Sequence, residues 1–155
     1  MAGRIKKRLA ALKIELPKAA APVANYVPIA IAGNLAFVSG QVTVWNGELQ
    51  YRGRLGKEFT VEQGQAAARL CGLNVLAQLS AALGGDLDRV KRCVKLGVFV
   101  NSADDFTDQP KVANGASDLM VELFGEAGRH ARFAVGANTL PLNVAVEVDA
   151  VFEVA

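Results

Sequence analysis

Histidine is nearly absent from this 155-residue sequence: there is one, His130. The two cysteines, Cys71 and Cys93, lie far apart in apolar surroundings. Neither residue type clusters with metal-ligand spacing, so no metal is expected. The plain reading of the cysteines is two reduced, buried thiols in a cytoplasmic protein. Aromatic residues make up only 6%, and 17 basic against 15 acidic side chains leave a net charge of +2. RNA recognition draws on aromatics interleaved with basic residues, so nucleic acid is not expected as a partner. The longest uncharged stretch is broken by Gly, Pro and Asn, which speaks against a membrane-spanning helix. The first residues lack the apolar region and small-residue cleavage site of a secretion signal. The glycines of GGDLDRV lack a Gly-Lys-Ser/Thr ending, so they form no phosphate loop, and no cofactor is indicated.

What is present is apolar: 52% of the residues, against 21% charged. That composition and length suit one globular domain with a real core. Ile5, Leu9, Leu12 and Leu16 form one stripe among basic residues, which predicts an amphipathic helix ending before Pro17. Residues 1–17 are thus read as a helical extension and 18–155 as the domain. The stripe suits packing on that domain or, alternatively, lying on a membrane surface. Gly33-Asn34 and Asn46-Gly47 mark hairpin turns between apolar runs. Thr60-Val61-Glu62-Gln63 fits a capping box for a buried helix that stops at Gly84-Gly85. Val90, Val94, Leu96, Val98 and Val100 predict a strand with Lys91, Cys93, Lys95 and Phe99 on its other face. A loop over 105–110, a second helix over 112–124 and strands over 131–137 and 143–154 complete the order. The sum is an α+β sandwich: a mixed sheet with two helices on one face, plus the N-terminal helix.

Two charges stand out in apolar strands. In the last strand the even positions from Val144 to Val154 point to the helices, and Glu147 lies on the other face beside Ala145. Arg132 shares a strand face with small Ala134 and Gly136, which leaves room for a ligand carboxylate on its planar fork. Three readings stay open on pattern alone: a solvated face, an Arg132–Glu147 salt bridge, or a site. Ser39 reads as a turn residue, His130 as an exposed loop histidine, and Arg52 and Arg54 as solvated cations.

Several stretches taken in order resemble the YjgF/RidA family of reactive intermediate deaminases, which carries the older label endoribonuclease L-PSP. They are Asn25-Tyr26, LAFVSGQV, the helix from Thr60, LDRVKRCVKLGVFVNSADDF, VANGASDL and HARFAVGANTLPLNVAVEVDAV. The resemblance implies a chorismate-mutase-like fold assembled as a homotrimer, with sites in clefts between subunits. It implies hydrolysis of 2-imino or 2-enamino acids to 2-keto acids and ammonia. It makes Arg132 the carboxylate clamp and Glu147 the group that orients or activates the attacking water. Asn114, Tyr26, Ser39 and Ala134 become substrate-site residues. Ala134 stands where the best-studied members carry cysteine, Phe133 is bulkier than usual, and the loop before Asn114 is longer. The rival expectations are a trimer that binds keto acids without turnover and a protein-interaction role.

Overall fold

The structure, a computed structural model, describes residues 3–21 and 24–155. Its main sheet is built from β1 (Ile29–Ala32), β2 (Leu35–Gln41), β5 (Val90–Asn101), β6 (Ala131–Ala137) and β7 (Val146–Val154). The strand order is β1-β2-β7-β5-β6. Only the β5/β6 pair is parallel. A parallel pair needs a crossover, and α3 (Gln109–Phe124) supplies it. A short hairpin of β3 (Val44–Trp45) and β4 (Glu48–Leu49) stands apart, its turn made by Asn46 and Gly47, both with positive φ.

α2 (Val61–Ala82) begins where the capping box predicts. Thr60 Oγ1 accepts from Gln63 N at 3.3 Å, and Gln63 Oε1 accepts from Thr60 N at 2.9 Å. α2 and α3 cover one sheet face. Between them and the sheet lie Val75, Leu76, Leu79, Leu119 and Met120 against Leu96, Val98, Val100, Val148 and Phe152, all fully buried. Cys71 and Cys93 are buried free thiols. Burial pushes the Cys71 thiol well up, with Glu147 adding to it, and pushes Cys93 up to about 12.

Two expectations on local structure need correction. The first helix, α1 (Arg4–Ala11), stops short of Pro17. Lys13 adopts a positive φ, Lys13 N donates to Ala10 O at 3.1 Å, and Ile14 N donates to Leu9 O at 2.9 Å. This is a Schellman stop with lysine in the place usually held by glycine, so no sequence signal marks it. Residues 14–21 are extended and strapped on: Lys18 N donates to Asn46 Oδ1, and Gln78 Nε2 donates to Ala20 O. The second correction is in β5. Its register against β7 shifts between Val90 and Arg92 and again between Cys93 and Lys95. A bulge changes which face later residues take, so Cys93 is buried while Val94 is only half-buried, the reverse of strict alternation.

α1 has no side-chain cap of its own, because Gly3 stands at its N-cap. Asp88, from the turn before β5, supplies one. It accepts from Arg4 N at 2.9 Å and from Ile5 N at 2.7 Å, and Ile5 inserts into the core at 1% exposure. The Ile5 amide bond is the main reason the Asp88 carboxyl sits below its ordinary value. A depressed carboxylate stabilises the fold above its unfolded value and loses that contribution as pH falls through the folded one. Asp88→Ala is therefore expected to speed hydrogen exchange at the Arg4 and Ile5 amides at neutral pH. The wild type should approach that behaviour only in acid, below about pH 4. Equal exchange in both proteins at neutral pH would overturn the trans-capping role.

Candidate functional site

Leu96, Val98 and Val100 point into the helix-packed core, and the parallel register sets Arg132, Ala134 and Gly136 beside them. Arg132 therefore lies on the helix side of the edge strand β6. Its side chain meets one stripe of α3. Nη1 donates to Asn114 Oδ1 at 2.9 Å and to Ser117 Oγ at 3.0 Å, and Nη2 donates to Pro110 O at 3.4 Å. Positions 110, 114 and 117 are spaced i, i+4, i+7, so one helical face holds the guanidinium.

These bonds use both Nη1 hydrogens and one on Nη2. Among the described residues, Nε–H and the remaining Nη2 hydrogen have no protein acceptor, and no carboxylate pairs with Arg132. Nε and Nη2 form the edge of the fork that takes a carboxylate with two parallel bonds. Around Arg132 an open cavity of about 270 Å³ is lined by Ser117, Asp118, Val121, Arg129 and His130. His130 is not the exposed loop residue expected. It is half-buried, with Nε2 2.8 Å from Ser117 Oγ and Nδ1 2.6 Å from Gly128 O. Ser117 gave no signal in the sequence beyond its i+3 spacing from Asn114. At Gly136 the room expected for a ligand is taken by Gln109 Nε2 and Ser102 Oγ.

Glu147 lies on the opposite face. Its register partner Phe99 belongs to the helix-free side, with Val135 next in the row. β5 runs between β6 and β7, so an Arg132–Glu147 pair within one protomer is excluded. Glu147 packs under Gly40, where an added Cβ would collide with Glu147 Oε2 and lie 3.0 Å from Cδ. Neither a hydrogen-bond donor nor a cation pairs with it among the described residues. Tyr26 and Ser39 meet at a cavity of about 110 Å³ that Gly40 also lines. Ser39 Oγ donates to Pro28 O at 3.2 Å. The predicted residues thus form two groups: Arg132, Asn114 and Ala134 at β6, and Tyr26, Ser39 and Glu147 around Gly40.

Burial, and secondly Asp149 two residues along the same face, pushes the Glu147 carboxyl up from its ordinary value. A raised carboxyl favours folding below its unfolded value, and that contribution is lost as pH rises through the folded value. Glu147→Gln is thus expected to raise the melting temperature by a few degrees at pH 8 and to leave it almost unchanged near pH 4. Identical shifts at both values would contradict this.

The helix-free face also exposes Phe37, Phe99 and Val135. Phe99 and Phe133 meet edge to face at 5.2 Å, with Lys95 Nζ over the Phe133 ring. Among the described residues, no cluster of metal-ligating side chains is present, and no helix is long and apolar enough to cross a membrane.

Residues 6–154 match the family described as "YjgF/chorismate_mutase-like, putative endoribonuclease". Protein TCP17 of Trypanosoma cruzi is 55% identical over 152 residues, which are 97% of this chain and 94% of that protein. The crystal structure of Atu1372 from Agrobacterium tumefaciens, a protein of unknown function, superposes with a TM-score of 0.90. It is 46% identical and covers 97% of this chain and 93% of its own. TdcF from E. coli, solved with bound serine, is more distant: 26% identity and TM-score 0.64, covering 91% of this chain and 97% of that one.

Proposed function

The chain belongs to the YjgF/RidA family, and from that premise we propose that it hydrolyses reactive 2-imino or 2-enamino acids to 2-keto acids and ammonia. The observation that carries the proposal is the free edge of Arg132, held by Asn114, Ser117 and Pro110 with two adjacent N–H groups left for a carboxylate. An imine carbon is already electrophilic, so the remaining needs are a placed water and a proton path. TdcF, solved with serine, is a relative that holds an amino acid.

The working site takes residues from two copies of the chain. Arg132 and Asn114 of one copy meet Tyr26, Ser39 and Glu147 of the next in a homotrimer closed through the helix-free faces. Support comes from the separation of Arg132 and Glu147 on opposite faces and from the exposed Phe37, Phe99 and Val135. Apolar surface of this kind is what an assembly buries. The two-copy arrangement sets Arg132 to hold the carboxylate and Glu147 to orient the water. Exclusion of bulk water from the cleft strengthens both interactions. A cytoplasmic location is part of the same proposal, since two free thiols suit a reducing compartment. A second reading, a trimer that binds keto acids without turnover, is favoured by Glu147 lying on the opposite sheet face from Arg132 within one protomer.

The test is hydrolysis of 2-iminobutyrate generated by an amino-acid oxidase, with semicarbazide trapping as readout. Acceleration by the wild type is expected; none with any of several imines would overturn the enzyme reading. Mixing Arg132→Ala with Glu147→Ala chains and reassembling them should recover about a quarter of the sites if the residues act across copies. No recovery, with mixed assemblies verified by mass, would overturn the two-copy site.

A further inference from the structure

Beside Arg132 lies a proton path that the Glu147 role does not use. His130 is the sole histidine, and both its ring nitrogens are engaged. The Gly128 carbonyl only accepts, so in the neutral ring Nδ1 carries the hydrogen, donated over 2.6 Å. Nε2 must then accept, and it receives the Ser117 hydroxyl at 2.8 Å. Ser117 Oγ in turn accepts from Arg132 Nη1 at 3.0 Å. A hydroxyl, a base and a group that orients the base stand in line, next to the cation that would hold the ligand. The charged groups facing the ring are Asp118 from α3, Arg132 from β6, and Arg129, which Glu126 binds at 3.1 Å. None of these is bonded to the imidazole among the described residues, so its Nε2 is committed to Ser117 alone.

We propose that Ser117 and His130 form a proton relay for the ligand held on Arg132, Ser117 Oγ meeting the reacting group and His130 Nε2 storing the proton. The inference rests on the deaminase reading. Water oxygen bonds to the imine carbon. Its proton passes to Ser117 Oγ as the Ser117 proton passes to Nε2, and the C=N pair moves to nitrogen. The stored proton returns by the same path to that nitrogen, giving the carbinolamine. A second passage carries the hydroxyl proton to nitrogen, the C–N bond breaks, and ammonia leaves as the keto oxygen forms. His130 acts through Ser117 and is a positioning residue in this scheme.

The lone histidine makes the test direct. Untagged protein labelled with 15N-histidine yields one imidazole, expected as the Nδ1–H tautomer. Addition of 2-oxobutyrate should shift both ring nitrogens in the wild type and in Glu147→Gln, but not in Arg132→Ala. In the imine assay, Ser117→Ala and His130→Gln are each expected to lower kcat by about 10²-fold, with KM changed only a few-fold. Added imidazole should partly restore His130→Ala. Unchanged kcat in both variants, with Arg132→Ala inactive, would overturn the relay and leave the deaminase reading intact. If the wild type hydrolyses no imine, the deaminase reading falls alone, and the ring nitrogens still decide whether His130 senses the ligand. A spectrum that 2-oxobutyrate leaves unmoved overturns the relay whatever the activity.

Discussion

Arg132→Ala is expected to lower kcat/KM for 2-imino acids by about 10²–10³-fold and to abolish measurable 2-keto acid binding. The reason is specific to how the guanidinium is held. Asn114 and Ser117 take both Nη1 hydrogens, so the group cannot turn, and the Nε/Nη2 edge is presented already oriented. Alanine removes the charge and the two-bond fork together. Arg132→Lys is expected to recover little. An ammonium is a point charge that cannot hold Asn114, Ser117 and a carboxylate in one plane. Calorimetry with 2-oxobutyrate and the imine assay read the two losses separately. Wild-type affinity in Arg132→Ala would remove the carboxylate clamp from the account.

Gly115→Ala carries the largest expected effect on stability. Gly115 lies in α3 where that helix runs against the backbone of α2. A Cβ there would collide with the carbonyl oxygen of Gln65 and lie 2.7 Å from its carbon and 2.9 Å from its Cα. The same crossing is tied by Gln65 Nε2 donating to Lys111 O at 2.9 Å. Alanine favours a helix over glycine by about 1 kcal/mol. Here the obstacle is backbone, which cannot rotate aside, so the helices must separate and the packed layer beneath them opens. A net loss of about 2–4 kcal/mol follows, a fall in melting temperature of about 5–15 °C. Gly72→Ala is the control. Its nearest neighbour is Leu119 Cδ2 at 3.0 Å, the mobile end of a side chain, and the expected loss is smaller. Gly115→Ala melting with the wild type would refute the close approach. Because Asn114 is adjacent, the variant should also weaken the hold on Arg132.

Much of this was legible in the sequence, and what was not has physical causes. Alternation in β7 reads directly as one face buried and Glu147 on the other, because every even residue from Val146 to Val154 is apolar. The capping box at Thr60 and the Asn46-Gly47 turn are local chemistry and stand where predicted. The face of Arg132 is not local. It follows from β6 lying parallel beside β5, which no pattern within HARFAVG specifies. The β5 bulges invert Cys93 and Val94 for the same reason: register belongs to pairs of strands, not to one. Ser117 and His130 come together only because α3 folds back along β6. The lysine at the stop of α1 lies outside the usual glycine signal altogether.

The cap on α1 has a consequence for the order of events on the ribosome. Eight residues are too few for a helix to persist alone in water. The carboxylate that caps Ile5 lies 83 positions later in the chain. At about 5–20 residues per second, some 4–17 seconds of synthesis separate the helix from its cap. α1 is therefore bound to wait, unformed, until the turn before β5 has left the exit tunnel. Its basic residues and Ile5 remain accessible to passing factors during that interval, and this end of the molecule closes late.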